Sequence, residues 1–190
     1  KCDISCATNL SLISQSQIKR LARTRVKFNI QFPYVDEKSF KESTGNGNKD
    51  TILQNIKLCK EANIDVGLNT VVQNADVQKY ERIILFSIEN ELPLKLLPQI
   101  GNRDSYKYKD FIIPILNRYS KDKKSGALKW SLKKDGHFTS VLYIDSPCFY
   151  SDIKTCRNFA ELRIHPNLAA QTCILKESTI KLQFNQGFQL

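Results

Sequence analysis

The chain has 190 residues, 41% of them hydrophobic and 25% charged, a composition that leaves room for a core and excludes disorder as a whole-chain description. No apolar run approaches the roughly 20 residues of a membrane helix, so a membrane span is excluded and no membrane partner is expected. Basic residues outnumber acidic ones 29 to 19, a net charge of +10, which favours anionic partners; no RNA- or DNA-reading motif accompanies it, so nucleic acid is not among those expected. The chain contains no methionine and opens on Lys1, which points to a longer protein whose front precedes it. Six cysteines would permit disulfides, but no secretory signal is visible and the domain needs no staples. A reducing, cytoplasmic setting is expected, with the thiols used for packing or for a metal.

Taken in chain order, a first strand is expected over Lys1–Cys6. Ser14 or Ser16 can cap a helix whose apolar positions Ile18, Leu21 and Ala22 follow helical spacing. Val26, Phe28, Ile30 and Phe32 alternate as a strand does. The polar stretch Glu42–Lys49 breaks the pattern, and a helix follows with Ile52, Ile56, Cys59 and Ala62 on one face. Ile64, Val66 and Leu68 open a strand to Val72, Val77–Glu89 is helical, and Leu94–Leu97 is a short strand. Strand and helix alternate, which predicts parallel βα units with right-handed crossovers. Four strands are too few for a full eightfold barrel, which takes about 250 residues; a small open sheet or part of a barrel is expected.

The rhythm changes after Gly101. Phe111, Ile112, Ile115 and Tyr119 predict one more helix, weakened by Pro114. Leu128, Trp130 and Leu132 alternate up to an Asp135-Gly136 turn, and Phe138–Ile144 returns, which is a hairpin. A second hairpin is expected over Ala160–His165 and Ala170–Leu175. The expected division is residues 1–101, 102–126 as a connecting helix, and 127–190. No Ser-His-Asp arrangement, P-loop or paired-carboxylate motif is present, and His137 beside its turn reads as solvent-exposed. Cys2 and Cys6 are spaced CxxxC, but on a strand they lie roughly 13 Å apart, so both read as core thiols.

Several segments carry a family resemblance. Ala7-Thr8-Asn9-Leu10 with Leu12 resembles a "TTNG-x-L" strand end, and Val26-Lys27-Phe28-Asn29-Ile30 resembles "R-V-N-V-S". Phe40–Gly45, Ile52–Ile56 and Lys60–Ala62 resemble the helix between strands. Gly67-Leu68-Asn69-Thr70-Val71-Val72 resembles "K-L-N-T-V-V", and Lys95–Gly101 stands where "R-F-I-E-x-M" would. In this order the segments resemble the radical S-adenosylmethionine (SAM) superfamily, and within it the GTP 3′,8-cyclase family of molybdenum-cofactor biosynthesis. The resemblance implies an α/β fold: a partial (β/α)6 TIM-like barrel, of which this chain holds the third to sixth strands, followed by a small α+β auxiliary domain of the twitch or SPASM kind. The first two strands, with the CxxxCxxC loop that holds the catalytic 4Fe-4S cluster, are not in the chain. The 190 residues alone are therefore expected to be inactive.

By the same resemblance Thr8 and Asn69 are the SAM-binding positions. Cys148, Cys156 and Cys173 stand as ligands of an auxiliary 4Fe-4S cluster, with zinc on the same thiols and His165, or unliganded thiols, as alternatives. Arg163 stands as a substrate contact. Departures are Gln31 for a serine, Ile100 for a methionine, Phe159 for a cysteine, Glu161 for an arginine, and Gly67 for a lysine that holds GTP; the last two argue against GTP itself. The implied function is reductive SAM cleavage and hydrogen abstraction from a nucleotide or peptide substrate, supplied by an electron donor. The alternative is a degenerate, non-catalytic binding or partner subunit.

Overall fold

Alternating apolar residues become strands, of which the first four pair in chain order. The structure, a computed structural model, describes residues 4–45, 47–102, 104–123, 128–146, 148, 154, 163–173 and 179–181. Strand β1 (Ile4–Thr8) pairs in parallel with β2 (Val26–Gln31), β2 with β3 (Asp65–Val72), and β3 with β4 (Leu94–Pro98). The helices between them are α1 (Gln15–Leu21), α2 (Glu37–Thr44), α3 (Lys49–Glu61) and α4 (Val77–Glu89). The adjacent parallel strands match the sequence expectation, with β1 running on to Thr8 rather than ending at Cys6.

Helix α2 occupies part of what reads as a featureless polar stretch. Only Phe40 on it is buried, so no apolar stripe announces it. Local chemistry starts and stops it instead: the Asp36 carboxylate accepts from the Ser39 N–H at 2.8 Å, and Gly45 closes the helix at φ 66°, a left-handed conformation that costs glycine little.

Helix α5 (Lys109–Tyr119) carries Pro114 internally and still buries Ile112, Ile115 and Leu116. It leads to β5 (Ser120–Lys123), β6 (Lys129–Lys134) and β7 (His137–Tyr143). Asp135 and Gly136 both have positive φ, 50° and 89°, as the tight β6–β7 hairpin turn requires. Strand β7 then pairs in parallel with β4, Leu94 opposite Val141 and Leu96 opposite Tyr143. The sheet order is β1-β2-β3-β4-β7-β6-β5. The chain divides into two compact units, Lys1–Asp145 and Ser146–Leu190, against an expected boundary at residues 126 and 127. The physical reason is this pairing: the hairpin extends the main sheet.

Register decides which side chains meet the helices. Phe28 and Ile30 of β2, Val66, Leu68 and Thr70 of β3, Leu94 and Leu96 of β4, and Val141 and Tyr143 of β7 are buried in one core with Ile18, Phe40, Ile52, Ile56, Ile84 and Ile112. Thr70 is accommodated there because its hydroxyl donates to the Phe32 carbonyl at 2.7 Å. The other face is half-exposed and polar. At the sheet rim, β1 is exposed on most of its length. Beside it lies an apolar hollow of about 540 Å³ lined by Thr8, Leu10, Leu12, Ile13, Leu21 and Phe28, among others.

The second unit holds a small antiparallel sheet of β8 (Arg163–Ile164), β9 (Ala169–Gln171) and β10 (Ile180–Lys181), in the order β10-β9-β8. The β8–β9 hairpin lies within the second hairpin expected from sequence, with His165 N–H donating to the Ala169 carbonyl at 2.9 Å. No helix among the described residues is long and apolar enough to cross a membrane.

Trp130 on β6 is fully buried and its indole N–H donates to Asn117 Oδ1 at 2.9 Å, joining the hairpin to α5. Trp130→Ala should therefore destabilise the first unit by about 3–5 kcal/mol. Lys129→Ala, on the exposed side of the same strand, should stay within about 0.5 kcal/mol of wild type. Urea unfolding midpoints at unchanged slope check both.

Candidate functional site

The side of the sheet away from the helices collects polar residues, because the same alternation that sends Phe28, Leu68 and Leu96 into the core sends their neighbours the other way. Register places Ser5 opposite Lys27, Ala7 opposite Asn29, Asn29 opposite Gly67, Gln31 opposite Asn69, and Asn69 opposite Lys95. These side chains are linked across strands. The Asn29 amide donates to Ser5 Oγ, and the Lys95 ammonium donates to Asn29 Oδ1 at 3.1 Å. That last bond crosses all of β3. The residue of β3 opposite Asn29 is Gly67, which has no side chain to stand in the way.

Sequence reasoning did not single out Lys95, Asn29 or Ser5. It treated Gly67 as the loss of a cation. The open face has a cation nonetheless, brought from β4. The available signal was a lysine out of phase with Leu94 and Leu96 in an otherwise apolar strand. Withdrawal from water disfavours the Lys95 ammonium, and the nearby charge of Lys27 adds to this, so its amine sits below the ordinary lysine value. Neither lysine is in an ion pair among the described residues.

Asn69 lies on this face, and its Oδ1 is buried without a hydrogen-bond partner. A buried acceptor left open in this way is costly unless something donates to it. Thr8 does not join it. Its register partner is Ile30, and that row continues to Leu68, so Thr8 belongs to the helix side. Its hydroxyl oxygen accepts from the Leu10 N–H at 2.9 Å. This holds Leu10 at φ 58° and shapes the turn after β1, which the Asn55 amide of α3 also ties through the Leu10 carbonyl at 2.9 Å.

The loops leaving β3 and β4 are fastened to each other. Tyr108 donates to the Gln73 carbonyl at 2.7 Å and accepts from the Asn102 amide at 2.8 Å. Tyr80 accepts from the Gln73 N–H at 2.9 Å, and burial pushes its phenol up.

Of the cysteines, Cys59 is buried on α3 as expected, and burial pushes its thiol up. Cys6 is exposed on β1 rather than buried in the core, because β1 is an edge strand among the described residues. Cys2 and Cys156 lie outside the described residues. Cys148 and Cys173 are partly buried members of the second unit. Among the described residues no three potential metal ligands converge. His165 meets Gln171 Oε1 at 3.0 Å, and Arg163 is exposed on β8. His137 is half-exposed, 3.7 Å from Glu91.

No family model matches the chain. Over 107 residues, 54% of this chain, it is 32% identical to a GTP 3′,8-cyclase of Clostridium perfringens strain 13, and the match spans 33% of that protein. A cyclase from strain SM101 matches at 31% over the same length. Among solved structures, Streptococcus suis SuiB bound to SAM superposes with a TM-score of 0.62 at 14% identity, over 94% of this chain and 45% of that one. SuiB bound to its precursor peptide SuiA gives 0.66 at 13%, over the same shares. The chain thus spans about a third to a half of the proteins it matches, and at these identities the structural likeness is one of fold.

The depressed Lys95 amine yields a pH prediction. Between its folded value and the ordinary lysine value the unfolded chain holds more protons than the folded one, so this group adds stability as pH rises through that window. The stability of wild type relative to Lys95→Gln should rise across that alkaline window and be flat below it, as read by urea unfolding over a pH series.

Proposed function

On the footing that the chain is related to the radical SAM superfamily, we propose that it is the carboxy-terminal part of a radical SAM enzyme. The observation that carries this reading is Asn69. It stands midway along β3 on the polar face of the parallel sheet, opposite Gln31 at the carboxyl end of β2, with a buried acceptor and no donor. A ribose hydroxyl is a fitting donor for it. The segment that contains Asn69 also resembles the superfamily in sequence. SAM, when bound to a reduced 4Fe-4S cluster, supplies a carbon radical that abstracts hydrogen from the substrate.

The residues of this chain then have separate tasks. Asn69 orients SAM from the open face. Thr8, on the opposite face, acts by holding the turn after β1. Tyr108 and Tyr80 fasten the loops around the strand ends. Cys148, Cys156 and Cys173 would hold an auxiliary cluster, whose free iron position would receive the substrate. Arg163 would contact that substrate. A cytoplasmic location suits an oxygen-sensitive cluster. The name of the Clostridium relatives and the peptide bound to SuiB point to a nucleotide and a peptide respectively as the substrate class.

Two outcomes test the reading. In the full-length protein Asn69→Ala should weaken SAM binding about tenfold, the loss of roughly one charge-independent hydrogen bond at a buried acceptor, measured anaerobically by equilibrium dialysis. Iron analysis after anaerobic reconstitution should show iron lost in Cys156→Ala and retained in Cys59→Ala. Equal iron in both would remove the auxiliary cluster, and unchanged SAM affinity would remove Asn69 from the site.

A further inference from the structure

We infer that the hollow between the first turns of α2 and α4, on the helix side of the sheet, is a binding site for the carboxylate group of a small acid, with Lys79 and Arg82 as its cations. The inference does not depend on the reading of the open face.

The hollow is built where two strands hand over to their helices. Tyr34 and Asp36 follow β2, and Asp76 follows β3. With Ser39, Lys79 and Arg82 they line a space of about 140 Å³. Lys79 is only 7% exposed, and a lysine is seldom buried so far without a partner. Its ammonium stands 3.8 Å from the centroid of the Tyr34 ring and 5.0 Å from that of Tyr80. Tyr34 lines the hollow too, so the charged end of the lysine, and not only its stem, stands there. The ring faces attract the charge but leave its three N–H donors without an oxygen. Among the described residues the ammonium makes no hydrogen bond and no ion pair. A buried cation in that condition is costly, and an anionic oxygen removes the cost.

The carboxylates already at the hollow do not fill this role. Asp36 Oδ1 accepts from the Ser39 N–H at 2.8 Å, and Asp76 Oδ1 from the Lys79 N–H at 3.0 Å, so each caps its own helix. Both aspartates are exposed. The Ser39 hydroxyl first, and its N–H next, hold the Asp36 carboxyl below the usual carboxylate range, with Arg82 adding to this. Asp36 and Asp76 thus offset Lys79 and Arg82, and the positive ends of α2 and α4 favour one further negative charge over two. Size agrees, since 140 Å³ is well under the roughly 300 Å³ at which pockets for drug-sized ligands begin. The fitting group is therefore a singly charged carboxylate on a short chain, which the planar Arg82 guanidinium can meet through two N–H groups. A purely structural Lys79 explains the stacking on Tyr34, but not a buried ammonium that opens on a hollow with an exposed arginine at its side.

The test titrates the full-length protein with four probes, followed by ligand-observed NMR. They are propionate, its neutral twin propionamide, inorganic phosphate as the dianion, and N-acetylglutamate α-methylamide, which carries the same carboxylate on a peptide. Propionate should bind about tenfold or more tightly than propionamide, the scale of one charge-assisted hydrogen bond, and more tightly than phosphate. Lys79→Met should lower propionate affinity about tenfold. Arg82→Gln, at the exposed side, should lower it about threefold, and Lys38→Met, an exposed lysine on α2, should leave it unchanged. Equal affinity for propionate and propionamide, equal propionate affinity in Lys79→Met and wild type, or an equal loss in Lys38→Met would overturn the inference. Tighter binding of phosphate would overturn the carboxylate, and tighter binding of the glutamyl peptide would overturn the small acid in favour of an acidic side chain. Should Lys79→Met fail to fold, lysine side-chain NMR of wild type and Arg82→Gln decides. Propionate must move the Lys79 signal ahead of the other lysines, and at higher concentration in Arg82→Gln; an unmoved Lys79 signal sinks the site.

Discussion

Parallel pairing in an unbroken register from β1 through β4 to β7 is the constraint on which the other features depend. Each strand alternates between a face covered by helices and a face that is not, and pairing carries the phase of one strand to the next. Phe28, Leu68 and Leu96 therefore share a core, while Asn29, Asn69 and Lys95 share the opposite surface. A slip of one residue in β3 would bury Asn69 and Asp65 among isoleucines and expose Val66 and Leu68. The apolar packing that stabilises the sheet is thus what holds the polar row in place.

The polar row departs from the simple division of apolar inside and polar outside. Asn29 is nearly buried, and it is tolerated because both ends of its amide are occupied, by Ser5 and by Lys95. Asn69 is not satisfied in the same way. Two amides thus stand on one face, one with its hydrogen bonds closed and one with its acceptor open.

Strands with clean alternation were legible in the sequence. Val26–Phe32 and Ile64–Val72 stand within a residue of β2 and β3, and the Asp135-Gly136 turn is where its dipeptide placed it. Helix α2 was not legible in the periodicity, because a helix with one buried residue has no stripe to detect. Strand β5 was hidden for a related reason: Ser-Lys-Asp-Lys shows no apolar phase. The parallel joining of β7 to β4 was out of reach because alternation describes a strand and says nothing of its partner, and that pairing moves the division between units to residue 145. Of the candidate site, Asn69 was singled out through resemblance and stands on the open face. Thr8, found the same way, stands on the other face, since only a register tells two strand ends apart. Lys95 needed the register as well, together with the gap that Gly67 leaves.

The exposed rim strand has a consequence for the behaviour of these 190 residues on their own in solution. Among the described residues β1 pairs on one side only, with β2, beside an apolar hollow, and extended segments of other molecules can add to such an edge. What opposes this is the net charge of +10, which keeps molecules apart over the Debye length. That length shrinks from about 10 Å at 0.1 M salt to about 3 Å at 1 M. Added salt, often used to keep basic proteins in solution, here removes the barrier to edge-to-edge growth, so colloidal stability should fall with ionic strength rather than rise.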